Sequence, residues 1–358
     1  YYRVMLKAPL AAGAEIDVVV LRAQLPPTTP LPKTVEQHEA VGLVYAGQRV
    51  VPSVYRSIRQ HTRWEFAMAS HIVDVADGLE QTDKMVSATL DNVKPLTASA
   101  MRVHYITQLP KLEVRTHTRT LTVSHLGARL NVDETYDLHN TGPALRAGYN
   151  RVESTRRGPQ HPSGLLSIGL ALPAGLDNVY FTDAIGHVST SQLHREPQRT
   201  VLHLAPRYPI FGGWHFAWNV GYTVDTRTVL RRLRGDRYLV SVPFVLGLSS
   251  IPIKNAAVRI VLPQGASHIK VATAVPGLTA ELSTVYSYFD TRGRPQITLR
   301  ATTLIEEHQK PVQISYTLSA TEAYSKAALC SAIIFGLLLV GLFFMRLDFR
   351  LTPKTAPT

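Results

Sequence analysis

Histidines are the side chains of this sequence best suited to hydrolytic or metal-assisted chemistry, and their spacing matches no usual arrangement. The chain has 14 His and a single Cys, Cys330. A zinc-binding His-Glu-x-x-His helix would need its second histidine at Gly42, four residues after His38. One cysteine excludes a Cys-x-x-Cys pair, and the sequence has neither a G-x-S-x-G elbow nor a phosphate-binding glycine loop. We therefore predict no catalytic residue, no metal and no cofactor; a metal site built from distant histidines stays an open alternative.

Two pairs of polar residues invite an acid–base interpretation. Asp133 and Glu134 are adjacent, but neighbours on a β-strand point to opposite faces, which makes them a poor catalytic pair. Asp183 and His187 lie four residues apart, a spacing that does not place them on one face of a β-rich chain. We interpret all four as surface or core residues.

The segment PRYPIFGGW, at residues 206–214, concentrates residues with special backbone properties. Proline fixes φ and glycine reaches φ values that other residues avoid, so the segment predicts a rigid turn. Its aromatic side chains should bury against neighbouring layers. We expect Trp214→Ala to cost about 3–5 kcal/mol if that ring is fully buried. The candidate structural or interaction residues are Pro206, Arg207, Tyr208, Pro209, Phe211, Gly212, Gly213, Trp214 and Tyr222.

The surrounding sequence is dominated by strands. Apolar and polar residues alternate along Val312–Leu318 and Ile297–Ala301, and turn residues separate such stretches, as at Pro263–Gly265. We predict a mainly β protein with two tandem β-sandwich-like domains and one C-terminal transmembrane α-helix. The first domain is expected to be incomplete at its start, because Tyr1 begins almost inside a strand. The predicted bounds are 1–110 and 111–321 for the two domains, 327–345 for the helix and 346–358 for a short basic tail.

Ala327–Met345 is a run of 19 residues without a charge. As a helix it would cover ~28 Å, close to the ~30 Å hydrocarbon core of a bilayer. More basic residues follow the run than precede it, which predicts a cytosolic tail and a luminal or external N-terminal part. Ala328, Ala332 and Gly336 share one helix face, where small residues would let another helix approach closely.

The net charge of +12 gives no clear functional signal. The densest basic stretch, Arg227–Arg237, holds five arginines interrupted by leucine and glycine, and nothing in it resembles a nucleic-acid module. We therefore interpret the charge as a solvated surface and predict no nucleic-acid partner.

PRYPIFGGW, with Gly221 and Tyr222 after it, resembles the hallmark of the ribophorin I family. The resemblance is strong from about Val114 to Phe349 and weaker before Thr107. Further matching segments follow in the family's order: Ser124–Gly127, Leu138–Gly142, Asp183–Gly186, Val188–Ser191, Leu262–Ala266, Tyr288–Pro295 and Arg346–Phe349.

The resemblance implies a non-catalytic accessory subunit of the oligosaccharyltransferase complex in the endoplasmic reticulum (ER) membrane. That complex transfers an oligosaccharide from dolichyl diphosphate to Asn in Asn-x-Ser/Thr sequons. The implied partners are a multi-span catalytic subunit, other small membrane subunits, the ER bilayer and nascent polypeptide. The implied topology is single-pass type I, with a luminal N-terminal part and a cytosolic tail.

Two other functions remain as alternatives. A stand-alone luminal chaperone-like or receptor-like binding protein would use exposed aromatic side chains around Phe211 and Trp214. A luminal hydrolase would need a metal held by distant histidines.

Overall fold

The computed structural model describes residues 9, 13, 15–19, 25, 27–158, 161–246, 248, 251–275, 277–288 and 290–347. These residues form 23 strands, four α-helices and one 3-10 turn. The prediction of a mainly β protein with one long apolar C-terminal helix is confirmed.

Seven of the first eight strands form two small sheets, and β2 pairs elsewhere. One sheet has the order β1-β3-β8-β5 and the other β4-β7-β6. A compact apolar cluster of Ile72, Val86, Met101 and Val103 lies between them. The strands are β1 (Thr28–Pro30), β2 (Thr34–Val35), β3 (Val41–Gln48), β4 (Ser57–Glu65), β5 (Ala69–Val75), β6 (Glu80–Thr82), β7 (Met85–Val93) and β8 (Ala100–Thr107).

The remaining strands and helices follow in chain order. The strands are β9 (Leu112–Ser124), β10 (Arg129–Asn140), β11 (Ala144–Leu145), β12 (Ile168–Pro173), β13 (Asp177–Asp183), β14 (Gln192–Arg195), β15 (Arg199–Leu204), β16 (His215–Asp225), β17 (Leu230–Arg232), β18 (Arg237–Pro243), β19 (Ile253–Val261), β20 (Ser267–Thr273), β21 (Thr279–Val285), β22 (Arg294–Leu304) and β23 (Pro311–Thr317). The helices are α1 (Arg151–Arg157), α2 (Thr226–Val229), α3 (Ala320–Ala323) and α4 (Ser325–Arg346), with a 3-10 turn at Glu306–His308.

Three sheets share the large core of the second half. The seven-stranded sheet has the order β13-β16-β10-β9-β19-β22-β21, and the smaller sheets are β12-β15-β14 and β17-β18-β23-β20. Buried side chains of all three, such as Leu121, Leu170 and Ile314, belong to one continuous cluster. Strand alternation explains this core, because β10 buries every second residue along its first ten positions.

Backbone pairing crosses the predicted domain boundary near Leu109–Pro110. Strand β2 pairs in parallel with β11, and Lys111 Nζ donates to the Thr28 carbonyl at 2.6 Å. These contacts tie the two small sheets to the larger structure, and the division into domains at 110 and 111 stays a prediction.

Helix α4 is 22 residues long and apolar, and none of its residues is buried. Its length and composition are sufficient to cross a membrane. The predicted segment 327–345 lies inside it. Most of the predicted tail, including Arg350 and Lys354, lies outside the described residues.

Candidate functional site

The PRYPIFGGW segment links β15 to β16 and joins separate parts of the second half. Ile210 exchanges two backbone hydrogen bonds of 3.0 Å with Leu165, and Gly212 forms a parallel bridge with Ala144. The segment is therefore fixed by backbone pairing on both sides of Phe211.

Asn140, at the end of β10, is the polar centre of this region. Its side chain is fully buried, and its Nδ2 donates to the carbonyls of Ser163 and Ile210, each at 2.9 Å. Its Oδ1 accepts from the Gly142 N–H at 2.9 Å. Its own backbone carbonyl accepts from the Gly213 N–H at 2.8 Å. One amide side chain thus pairs with three backbone groups, and the Ile210 carbonyl accepts from it in addition to the Leu165 N–H.

The two glycines of the segment are needed for different reasons. A Cβ on Gly212 would lie 2.0 Å from the Pro143 carbonyl oxygen, so only glycine permits this backbone approach. Gly213 has a φ of +83° with open space around it, so its requirement is conformational.

Arg207 fixes a second segment, Asp183–Gly186. Its Nε donates to Asp183 Oδ2 at 2.6 Å, and its Nη2 donates to the His187 carbonyl at 2.9 Å. Asp183 Oδ1 also accepts from the Ile185 and Gly186 N–H groups. The hydrogen bond from Arg207 lowers the pKa of Asp183, so this carboxylate is an anionic turn anchor rather than a proton acceptor.

The aromatic side chains of the segment differ in burial. Phe211 is fully buried, as predicted, and its ring centroid lies 5.6 Å from that of Trp214 in an edge-on arrangement. Trp214 is only partly buried. Tyr208 is 47% exposed, so the prediction that it would bury is wrong. Its ring makes an edge-on contact with the Trp214 ring, with centroids 6.0 Å apart.

Partial burial lowers the expected cost of Trp214→Ala. We now expect a loss of about 1–3 kcal/mol in the free energy of unfolding, because only part of the ring leaves an apolar environment. Chemical denaturation in detergent micelles, followed by circular dichroism, measures it. Tyr208→Ala is the control and should stay within about 0.5 kcal/mol. A loss as large as for a fully buried ring would contradict the partial burial of Trp214.

Tyr222 belongs to a different feature, a buried ionic cluster around Glu134. Glu134 has no exposed surface, and Tyr136 and Tyr222 donate to it at 2.6 and 2.9 Å. Arg119 Nε lies 3.2 Å from Glu134 Oε1, and His117 Nε2 lies 3.1 Å from Oε2. Four side chains from three neighbouring strands thus surround one carboxylate.

The cluster keeps Glu134 ionised inside the core. Burial alone would raise its pKa, but the Arg119 charge and the hydrogen bonds from His117 and Tyr136 outweigh burial and lower the pKa to about 2. Burial raises the pKa of Tyr222, so the phenol keeps its proton and remains a donor. Because the cluster is sealed from solvent, its role is to stabilise the fold.

The depressed pKa of Glu134 predicts acid sensitivity. Its contribution to stability is complete above the ordinary value of 4.5 and is lost as the pH falls towards about 2, because the unfolded state then binds the proton more tightly. We expect the urea midpoint of the wild-type chain to fall across this range. The midpoint of Glu134→Gln, which cannot titrate there, should fall less steeply. Parallel curves for the two proteins would contradict the assignment.

Comparison with known proteins identifies the family. The family model for ribophorin I matches residues 1–345. This chain belongs to the ribophorin I family. The predicted resemblance is confirmed, and the segments that carried it include those joined by Asn140 and Arg207.

Two relatives show how far the family likeness extends. The chain is 26% identical over 363 residues to a Caenorhabditis elegans protein named dolichyl-diphosphooligosaccharide–protein glycosyltransferase subunit 1, covering 99% of this chain and 61% of that protein. It is 26% identical over 361 residues to subunit 1B from Arabidopsis thaliana, covering 99% and 76%. The chain therefore spans about three-fifths of the nematode ribophorin I relative.

The likeness of this chain to solved structures is weak. An M1 zinc metallopeptidase from Deinococcus radiodurans superimposes with a TM-score of 0.35 at 14% identity, covering 57% of this chain and 42% of that chain. Among the described residues, no group of three or more His, Cys, Asp or Glu side chains could hold a metal ion.

Sequence reasoning missed two centres of this ribophorin I fold, Glu134 and Asn140. The β9–β10 register places Arg119 directly opposite Glu134 and His117 opposite Tyr136. Opposite charges at inward positions of two neighbouring strands were the signal available in the sequence. Asn140 gave none, because the two carbonyls to which its side chain donates, those of Ser163 and Ile210, are far away in the chain.

The predicted helix face divides into two parts. Ala328 and Ala332 line a groove with Gln264 and Thr291, next to the sheet domain. Gly336 lies beyond it, with nothing within 4 Å of its Cβ position. Whether this face packs against another helix stays a prediction.

Proposed function

We propose that this chain is a non-catalytic accessory subunit of an ER oligosaccharyltransferase, which transfers oligosaccharide from dolichyl diphosphate to Asn in Asn-x-Ser/Thr sequons. The family match over residues 1–345 carries the proposal. The names of the nematode and plant relatives, which are glycosyltransferase subunits, support it. The proposed partners are a multi-span catalytic subunit, small membrane subunits and nascent polypeptide.

The sealed polar clusters support a scaffolding role. Glu134 and Asn140 are fully buried, so a substrate cannot reach them, and their contacts join strands and loops. Asp183 is held by Arg207 and by two backbone groups. These groups favour a rigid body that positions partners while the chemistry takes place on another chain.

The proposed topology is single-pass type I in the ER membrane. Helix α4 is long and apolar enough to cross. Lys326, before the apolar run, is neutralised by an ion pair with Asp290, whereas Arg346 ends the helix and Arg350 and Lys354 follow in sequence. This asymmetry favours a cytosolic C-terminus and a luminal sheet region. The sheet region is proposed to act as two domains, divided near residue 110.

The PRYPIFGGW segment gives little support to the alternative of a stand-alone luminal binding protein. That alternative needs accessible rings around Phe211 and Trp214, and Phe211 is fully buried.

A mild-detergent pull-down of the tagged full-length chain tests the proposal. We expect mass spectrometry to recover a multi-span glycosyltransferase together with small membrane subunits. A tagged chain in which Ala328, Ala332 and Gly336 are each changed to Leu tests the helix face, and we expect it to recover fewer of the small subunits. Recovery of the unaltered chain alone, or with unrelated luminal proteins only, would overturn the proposal.

A further inference from the structure

One end of the large sheet domain gathers around the start of α4. A cavity of about 250 Å³ is lined by His125 and Leu126 of the β9–β10 turn, Arg232 and Asp236 of the β17–β18 hairpin, and Ala323 and Tyr324 before α4. The Leu318 N–H donates to the Asp236 carbonyl at 2.9 Å, which fixes the hairpin beside the segment leading into α3. We call this end the helix-proximal base.

The exposed side chains of the base are of two kinds. Leu126, Leu233 and Tyr324 are exposed apolar or aromatic residues. Arg231, Arg234 and Arg237 are exposed on the same hairpin. Within the described part of the chain these three arginines have no ion-pair partner, whereas Arg232 pairs with Asp236 at 3.4 Å. The base thus combines leucines at two turn tips with three cations that have no ion-pair partner among the described residues.

A second group of residues at the start of α4 also includes an exposed tyrosine, and its cations are ion-paired. Lys326 Nζ donates to the Tyr288 carbonyl at 3.1 Å, and Arg292 Nη1 donates to Glu322 Oε1 at 2.9 Å. Tyr288 is 90% exposed. Exposed tyrosines therefore lie in both groups of residues at the point where the apolar helix leaves the sheets, and tyrosine is enriched at membrane–water interfaces.

We propose that the helix-proximal base rests on the membrane surface and takes acidic phospholipid headgroups through Arg231, Arg234 and Arg237. The inference rests on α4 crossing the bilayer, which is part of the proposed function. Because Tyr324 lines the base and α4 begins at Ser325, a spanning α4 brings the hairpin to headgroup depth. Exposed basic residues there attract acidic headgroups, and Leu126 and Leu233 bury apolar surface in the interface. The base then holds the ectodomain at one angle to the membrane.

Spin labels on the full-length chain in lipid nanodiscs test this. In a Cys330→Ser background, single cysteines replace Leu233, Ile334 or Val152, and accessibility to oxygen and to a nickel chelate reports the depth of each label. Val152 is the aqueous control, because α1 lies at the end of β10 that is far from the base. Tyr149, just before α1, has its ring 5.6 Å from that of Phe211, which is close to this end. We expect the label at 334 in the hydrocarbon core, the label at 233 at headgroup depth and the label at 152 in water.

The outcomes separate the inference from the proposed function. A label at 334 in water would show that α4 does not cross the bilayer, and it would overturn both the inference and the proposed function. If the label at 334 lies in the hydrocarbon core and the label at 233 is as accessible to water as the label at 152, the inference alone is overturned. Protection of 233 only when other subunits are added would also overturn it, in favour of a protein partner.

Charge substitutions test the lipid class. Changing Arg231, Arg234 and Arg237 to Gln should move the 233 label towards water in discs that contain phosphatidylserine, with little change in pure phosphatidylcholine. An equal change in both lipids, or none in either, would overturn the assignment to acidic headgroups. The matched control, expected to show no shift, changes three exposed arginines on other elements: Arg102, Arg156 and Arg195.

Discussion

Glu134→Ala should lower the free energy of unfolding by about 3–5 kcal/mol, because it leaves the buried Arg119 guanidinium without its counter-charge. Arg119 and His117 are each no more than 2% exposed, so water cannot replace the lost carboxylate. Tyr136 and Tyr222 would lose their acceptor in the same change. Urea unfolding of the full-length chain in detergent micelles, followed by tryptophan fluorescence, measures the effect, since Trp218 stacks on Tyr136.

The neighbouring carboxylate is the matched control. Asp133 lies on the same strand, but its side chain points to the exposed face. Asp133→Ala, the same kind of truncation, should change the free energy of unfolding by no more than about 0.5 kcal/mol. Similar losses for the two variants would show that burial and ionic contacts do not explain the loss of stability in Glu134→Ala.

Gly212→Ala should destabilise the protein by about 3 kcal/mol or more, which is the upper end of the cost of forcing extra volume into a packed site. The new Cβ would lie 2.0 Å from the Pro143 carbonyl oxygen, a backbone atom that cannot rotate away. Relief would require breaking the bridge to Ala144 and disturbing the hydrogen bonds of Asn140. Under the proposed function, the expected result in cells is loss of the subunit, with underglycosylation caused by failed assembly.

Gly213→Ala separates the steric effect from a general intolerance of the segment. Gly213 has open space and a φ of +83°, so alanine there should cost only about 1–2 kcal/mol, the penalty of the left-handed conformation. An equal or larger loss at Gly213 would contradict the close-approach explanation for Gly212. The comparison uses the same substitution at adjacent positions, with denaturation midpoints as the measurement.

Local periodicity made much of the fold predictable. Alternation along β22 and β23 is visible because each strand buries one face, and α4 is visible because nineteen uncharged residues in succession favour a membrane. The strand order was not predictable. The parallel pairing of β9 with β19 joins segments far apart in the chain, and no local pattern specifies it.

The site was predictable only in part. Proline and glycine identified the PRYPIFGGW segment as a rigid turn, because their backbone properties are local. The burial of Tyr208 was predicted wrongly, since hydrophobicity alone does not say which side of a turn faces solvent. The structural roles of Asn140 and Glu134 were not predicted, because they depend on groups that only tertiary structure brings together.

Rescue of glycosylation tests the proposed function most directly. Cells are depleted of their own oligosaccharyltransferase subunit 1, and the chain is expressed in its place with a secretory signal peptide added. Glycan occupancy at reporter Asn-x-Ser/Thr sequons is then measured together with the level of assembled complex. We predict that the wild-type chain restores both, and that Gly212→Ala restores neither. Normal membrane levels of the wild-type chain without recovery of occupancy or of complex would contradict the role of an accessory subunit.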